Sequence, residues 1–226
     1  MTHPPGSKRE NGPFSRFATA LLLADARFPA GGHAHSGGLE PAHTGNAVTG
    51  MPSLELFLRG RLRTSGVTAA GLAAAACEHA LAGWTDWAAL EAEADARTPS
   101  PAQREASRRQ GRALLRTARS AWPDAAYLRT LPTAPHHPLV LGAAAAAAGC
   151  TPQQAAYIAA YQSIAGPASA AVRLLGLDPI AVSALAARLA PEIDDIRWEG
   201  LPFPSAPNLD LLAEVHVTAE VRLFES

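Results

Sequence analysis

Lysine is nearly absent from this 226-residue chain: Lys8 stands alone beside 18 arginines. No G-x-x-x-x-G-K-[ST] phosphate loop can be drawn, which excludes the common nucleoside-triphosphate cradle. Cysteine is just as sparse. Cys77 and Cys150 form no C-x-x-C pair, which argues against structural zinc and dithiol redox chemistry. Two thiols fit a reducing compartment, and the expected location is cytoplasmic. No apolar leader follows Met1, so no secretory signal is expected. The longest apolar run, residues 139–150, is far short of the roughly 20 residues a spanning helix needs. Net charge is −1, so no overall field favours nucleic acid or an anionic membrane. No Ser/His/Asp set and no paired-carboxylate signal is present, and no catalysis is expected.

What is abundant is alanine, with 51 residues against 13 aromatics. That balance favours helices over a sandwich or barrel. Helical periodicity or caps mark residues 14–26, 52–62, 65–81, 84–96, 102–120, 139–149, 151–175 and 179–189. Thr151-Pro152-Gln153-Gln154 reads as a capping box with proline at the first helical position, and Asp178-Pro179 repeats the cap-then-proline signal. Gly166-Pro167 is a candidate kink. The fold expected is all-α: one helical domain of about seven to nine helices over residues 14–190. A polar, disordered arm (1–13) precedes it. An extended, acidic tail (191–226), with a short helix near Asn208–Val215, follows it.

Four motifs stand out. Pro29-Ala30-Gly31-Gly32-His33-Ala34-His35-Ser36-Gly37-Gly38-Leu39-Glu40 is a glycine loop. It is either an ordinary turn or one in which His33 and His35 offer two imidazoles to a nickel or zinc ion. Arg104, Arg108, Arg112 and Arg116 recur every four residues, with Arg109 and Arg119 beside them. Like charges at that spacing repel. The ladder is therefore a solvated face or one met by acid from helix 84–96, from the tail or from a partner. Cys77-Glu78-His79 points three ways on a helix and reads as a core thiol with a surface pair. The C-terminal segment carries Val215, Val217, Val221, Leu223 and Phe224, unusual for a terminus. It docks either onto this fold or onto another protein.

The glycine loop resembles the hallmark of the UreF family of urease accessory proteins, through Pro29, Gly31, Gly32, Ser36, Gly38, Leu39 and Glu40. Three further stretches agree in order. Residues 104–111, ending in Gln110-Gly111, look like the family's Glu-x-x-x-x-Gln-Gly helix. His137-Pro138-Leu139-Val140-Leu141-Gly142 and Ala171-Val172-Arg173-Leu174 look like later helices. His216 and Arg222-Leu223-Phe224-x-Ser226 look like its terminal segment. The sequence departs from the pattern where His33 and His35 replace two aromatics, Gly37 replaces a histidine, and Val217 and Val221 stand in the tail.

The resemblance implies an all-α homodimer without catalytic activity. It implies a scaffold that joins UreD (also called UreH) to the GTPase UreG while nickel is delivered to apo-urease. Nickel would be handled in transit, with no resident cofactor. Partner-binding residues implied are Gly31, Gly32, His33, His35, Ser36, Gly38, Glu40, Gln110, Gly111, His216, Arg222, Leu223 and Phe224, with His33 and His35 as the candidate metal contacts. The rival expectation is a freestanding nickel-storage or sensor protein that uses the same two histidines.

Overall fold

The computed structural model describes residues 17–25, 28, 35–204, 206–217 and 223–224, with Phe17 by its backbone alone. The arm expected at residues 1–13 lies outside them. Ten α-helices run through the described residues, with no extended strand. They are α1 (Phe17–Ala24), α2 (Leu39–Thr44), α3 (Met51–Arg61), α4 (Val67–Leu81), α5 (Ala88–Ala96), α6 (Pro101–Ala121), α7 (His137–Ala147), α8 (Pro152–Leu175), α9 (Pro179–Asp194) and α10 (Pro207–Val217). The all-α expectation is met.

Caps visible in the sequence form as written. Thr151 Oγ1 accepts from Gln154 N–H at 3.2 Å, and Gln154 Oε1 accepts from Thr151 N–H at 2.9 Å. Gly176 ends α8 in the left-handed region at φ 63°. Asp178 accepts from Ile180 and Ala181 N–H at 3.0 and 3.3 Å and opens α9.

The alanine-rich α4 and α7 are buried along almost their whole length, which their lack of a polar face requires. They cross at Gly142, where an added Cβ would lie 2.1 Å from the Ala73 carbonyl. One apolar cluster joins α4, α6 and α7 through residues such as Leu72, Leu114, Leu139 and Leu141. A second joins α3, α8 and α9 through Leu54, Leu58, Ile164, Leu185 and Leu189.

Periodicity reads residues 52–62 and 65–81 as two helices. The structure joins them through a π-helical turn, Leu62–Gly66. The reason lies on α8. Gly66 faces Ser163 so closely that a Cβ there would meet Ser163 Oγ at 2.6 Å. Pro167, inside α8, has no N–H to give to the Ser163 carbonyl four residues back. Arg61, at the last residue of α3, donates Nε–H to that carbonyl at 2.9 Å. The side chain thus fills the place of the missing helix bond, and the wider turn places it there.

The arginine ladder meets acid from within the chain. Arg108 donates to Glu91 Oε2 at 3.0 Å and to both Asp95 oxygens at 2.9 Å. The fully buried His136 sits between Asp95 Oδ1 (2.9 Å from Nε2) and Ser107 Oγ (3.0 Å from Nδ1). Burial opposes ionisation of Asp95, but the hydrogen bonds and charges of His136 and Arg108 outweigh it and hold its pKa below the usual value. Acidic helix α5 is thereby tied to α6, and the second face of the ladder (Arg109, Arg116) stays exposed. The Cys77 thiol is buried and donates to the Cys150 carbonyl at 3.7 Å. Burial, with Cys150 and Glu78 nearby, pushes it up to about 12, so it is a core group rather than a nucleophile.

Candidate functional site

Two consecutive left-handed residues, Gly37 (φ 62°) and Gly38 (φ 86°), end the glycine loop. Only glycine suits both. A Cβ on Gly37 would lie 2.9 Å from Pro167 Cγ and 3.0 Å from the Arg61 guanidinium carbon. Arg61 Nη1 donates to the Gly37 carbonyl at 2.7 Å, so one side chain holds both this turn and the proline break of α8. Ser36 Oγ accepts from Glu40 N–H at 3.2 Å in the first turn of α2, whose N-cap is Gly38.

Helix α2 presents a single buried carboxylate, Glu40, 7% exposed. Its Oε1 accepts from Leu223 N–H at 2.7 Å and its Oε2 from Phe224 N–H at 2.8 Å. His216, 5% exposed, places Nε2 at 3.2 Å from the Phe224 carbonyl and 3.5 Å from Glu40 Oε2, so an N–H on Nε2 serves both. The Phe224 ring is buried beneath the Arg173 guanidinium, 4.4 Å from its centroid. Hallmark loop, α8 and chain terminus therefore meet in one latch.

The tail helix α10 is fixed at its other side as well. Glu214 accepts from Ala102 N–H at 2.9 Å and from the Ser100 hydroxyl. Its carboxylate stands at the N-terminus of α6, where negative charge is favoured. Those two hydrogen bonds hold Glu214 below the usual carboxylate pKa. With its inner side held, the tail turns apolar groups outward: Leu211, Val215 and Leu223 are 65%, 67% and 73% exposed.

The latch adjoins a cavity of about 320 Å³. His35, Gln110 and His137 line it. His137 is pushed down to about 4 by burial and by the nearby His35. The unfolded chain, with the ordinary histidine value of 6.5, takes up this proton first. Stability is then full above about pH 6.5 and falls as the pH drops towards 4. The urea midpoint should decline over that window, and His137→Gln should flatten the decline; parallel profiles would refute the assignment.

The sequence-derived candidates divide as follows. Ser36, Gly38, Glu40, His216 and Phe224 converge on the latch, and Leu223 faces out from it. Gln110 lies on the cavity wall, and Gly111 is where α6 touches the Pro135 backbone, at 2.0 Å from an added Cβ. Gly31, Gly32, His33 and Arg222 lie outside the described residues. Among the described residues no group of three His, Cys, Asp or Glu is placed to hold a metal ion. No helix there is long and apolar enough to cross a membrane. Sequence reading missed Arg61 as a site residue. Its one signal was Pro167, since a proline inside a helix leaves a carbonyl in need of a donor.

A family model described as UreF matches residues 48–190. The chain is 48% identical over 211 residues to "Urease accessory protein UreF" of Mycobacterium sp. (strain JLS), covering 92% of this chain and 98% of that protein. It is 45% identical over 212 residues to the protein of the same description from Mycobacterium marinum, with the same two coverages. The like-named protein of Mycolicibacterium vanbaalenii is 43% identical over 215 residues, 94% of this chain and all of that one.

Proposed function

We propose for this chain, which belongs to the UreF family of urease accessory proteins, the role of a bridging scaffold. In this reading it holds UreD (UreH) and the GTPase UreG together so that GTP-dependent nickel delivery to apo-urease proceeds. It acts as a homodimer in the cytoplasm, and nickel is cargo rather than a resident cofactor.

The observation that carries this reading is the latch. Glu40 and His216 fasten the chain terminus from the inside, and Leu211, Val215 and Leu223 are left pointing outward. A terminus held in one conformation loses less entropy on binding than a frayed one, so its apolar groups are ready contacts. Leu21, Leu22 and Tyr161 expose a second apolar surface on α1 and α8, which suits the dimer contact. Neither surface carries a reacting group, in keeping with a protein whose work is binding.

Arg222 would serve as a charged anchor beside Leu223. Truncation of an arginine at a buried interface costs about 2–4 kcal/mol. Co-purification with UreD and UreG should therefore show Arg222→Ala losing most of the recruited GTPase. Full recruitment by that variant would dismiss the anchor. The storage alternative requires tight stoichiometric nickel binding by the isolated chain. Calorimetry on wild type and on the His33→Ala/His35→Ala variant separates the two, since the scaffold needs no such binding.

A further inference from the structure

The cavity beside the latch holds a charge, that of Arg61, with no ion-pair partner among the described residues. Arg61 reaches it from the end of α3. Its guanidinium has two partners, the carbonyls of Gly37 and Ser163, and both are uncharged. Two carboxylates line the same cavity, Asp25 and Asp210, and neither is among the influences on the Arg61 pKa. Burial is the one influence on its pKa, lowering it to about 10. A guanidinium partly withdrawn from water without a counter-ion loses hydration that two carbonyl dipoles only partly replace.

A second observation points the same way. Thr68, seven residues beyond Arg61 and 8% exposed, lines the cavity, and among the described residues its hydroxyl has no hydrogen-bond partner. The carboxamides of Gln103 and Gln110, on the facing helix α6, open on the same space and have no partners among the described residues. Arg61, Ser65 and Thr68 follow one another at near-helical spacing across the π-helical turn, so one wall carries cation and hydroxyls together. Water would satisfy the hydroxyl and the amides, but it cannot neutralise the guanidinium.

We infer that this cavity binds a small oxyanion, of the phosphate, carbonate or carboxylate class, held by the unused edge of the Arg61 fork and by the Thr68 hydroxyl. A planar guanidinium presents paired N–H donors that match two oxygens of such an ion. Thr68 supplies a donor from two turns further along the same wall, and the glutamines of α6 close the far side. The site is separate from the outward apolar surfaces and does not depend on the scaffold reading.

The test is calorimetry of the full-length protein with inorganic phosphate, bicarbonate and acetate, each at ionic strength fixed with chloride. Saturable binding of at least one is expected. Thr68→Val, which keeps the side-chain shape and removes the hydroxyl, should weaken it about five- to tenfold, as loss of one hydrogen bond does. Arg61→Lys keeps the charge, loses the fork and should weaken it further. Circular dichroism checks that each variant is folded, and Thr68→Val alone decides the matter if Arg61→Lys is not. Flat isotherms with all three ions, or an affinity unchanged in Thr68→Val, would overturn the site.

Discussion

Gly142→Ala is expected to lower the melting temperature by about 6–12 °C, corresponding to about 3 kcal/mol of overpacking at a rate of roughly 2–4 °C per kcal/mol. The position allows no side chain. A Cβ would come within 2.1 Å of the Ala73 carbonyl, 2.7 Å of Ala76 Cβ and 2.9 Å of the Cys77 nitrogen. Two of these are backbone atoms of α4, which cannot rotate away. Relief requires α4 and α7 to separate, and that opens the cluster built on Leu72, Leu139 and Leu141. Gly60→Ala is the control. It lies in α3 with open space around it, and alanine there should add about 0.5–1 kcal/mol through helix propensity. Thermal melts of both variants should move in opposite directions. A Gly142→Ala protein that melts with wild type would contradict the packing described.

Glu40→Ala should release the terminus. It leaves the amides of Leu223 and Phe224 without their acceptors and removes the carboxylate near His216. An unpaired buried donor costs about 1–3 kcal/mol and the part-buried Leu223 amide about 1 kcal/mol, so the latch should lose about 2–4 kcal/mol while the helical core keeps its stability. Hydrogen exchange at residues 223 and 224 should then accelerate by about a hundredfold, since roughly 1.4 kcal/mol corresponds to a factor of ten. Limited proteolysis should clip the tail first. Glu40→Gln, which keeps one acceptor oxygen, should fall between the two. In co-purification, Glu40→Ala should recover less UreD and UreG than wild type, because the outward apolar groups are then no longer held in place. Unchanged exchange at the two amides would refute the latch itself. Faster exchange with undiminished recruitment would keep the latch and refute its proposed use.

The two results together separate folding from function. Gly142 belongs to the crossing of two buried helices and affects the whole molecule. Glu40 belongs to a surface-adjacent clasp whose loss is felt only at the end of the chain. A protein whose work is to bind partners can tolerate the second defect structurally while failing at its task.

Much of this was legible in the order of residues. The capping box at Thr151–Gln154, the Asp178 cap, the alanine-rich cores of α4 and α7 and the short helix in the tail follow from local rules, because a cap or an apolar stripe acts on its own neighbours. The glycine loop and the apolar terminus were recognisable as unusual, and their residues resembled one family. Their meeting was not legible. Glu40 and Leu223 are separated by 183 residues, and no periodicity carries information over that distance. The arginine ladder shows the same limit. Its repulsive spacing announced a need for acid, and the tertiary arrangement supplied Glu91 and Asp95 from α5. The π-helical turn was invisible, since Leu62–Gly66 carries no local signal for it. It exists because Gly66 must pass Ser163 and because Arg61 must reach a carbonyl that Pro167 leaves open.

By itself the sequence determined that the chain is helical, where most of its helices begin, which of them are buried throughout, and that no phosphate loop or thiol pair is available for chemistry. These are consequences of composition and spacing over a few turns, where backbone capping and side-chain burial are decided locally. Only the tertiary structure decided that loop, kinked helix and terminus share one latch, and that Arg61 faces a cavity where its described partners are two carbonyls. Those outcomes depend on which distant groups arrive together when the apolar faces close, and hydrogen bonding and charge balance are settled only after that closure.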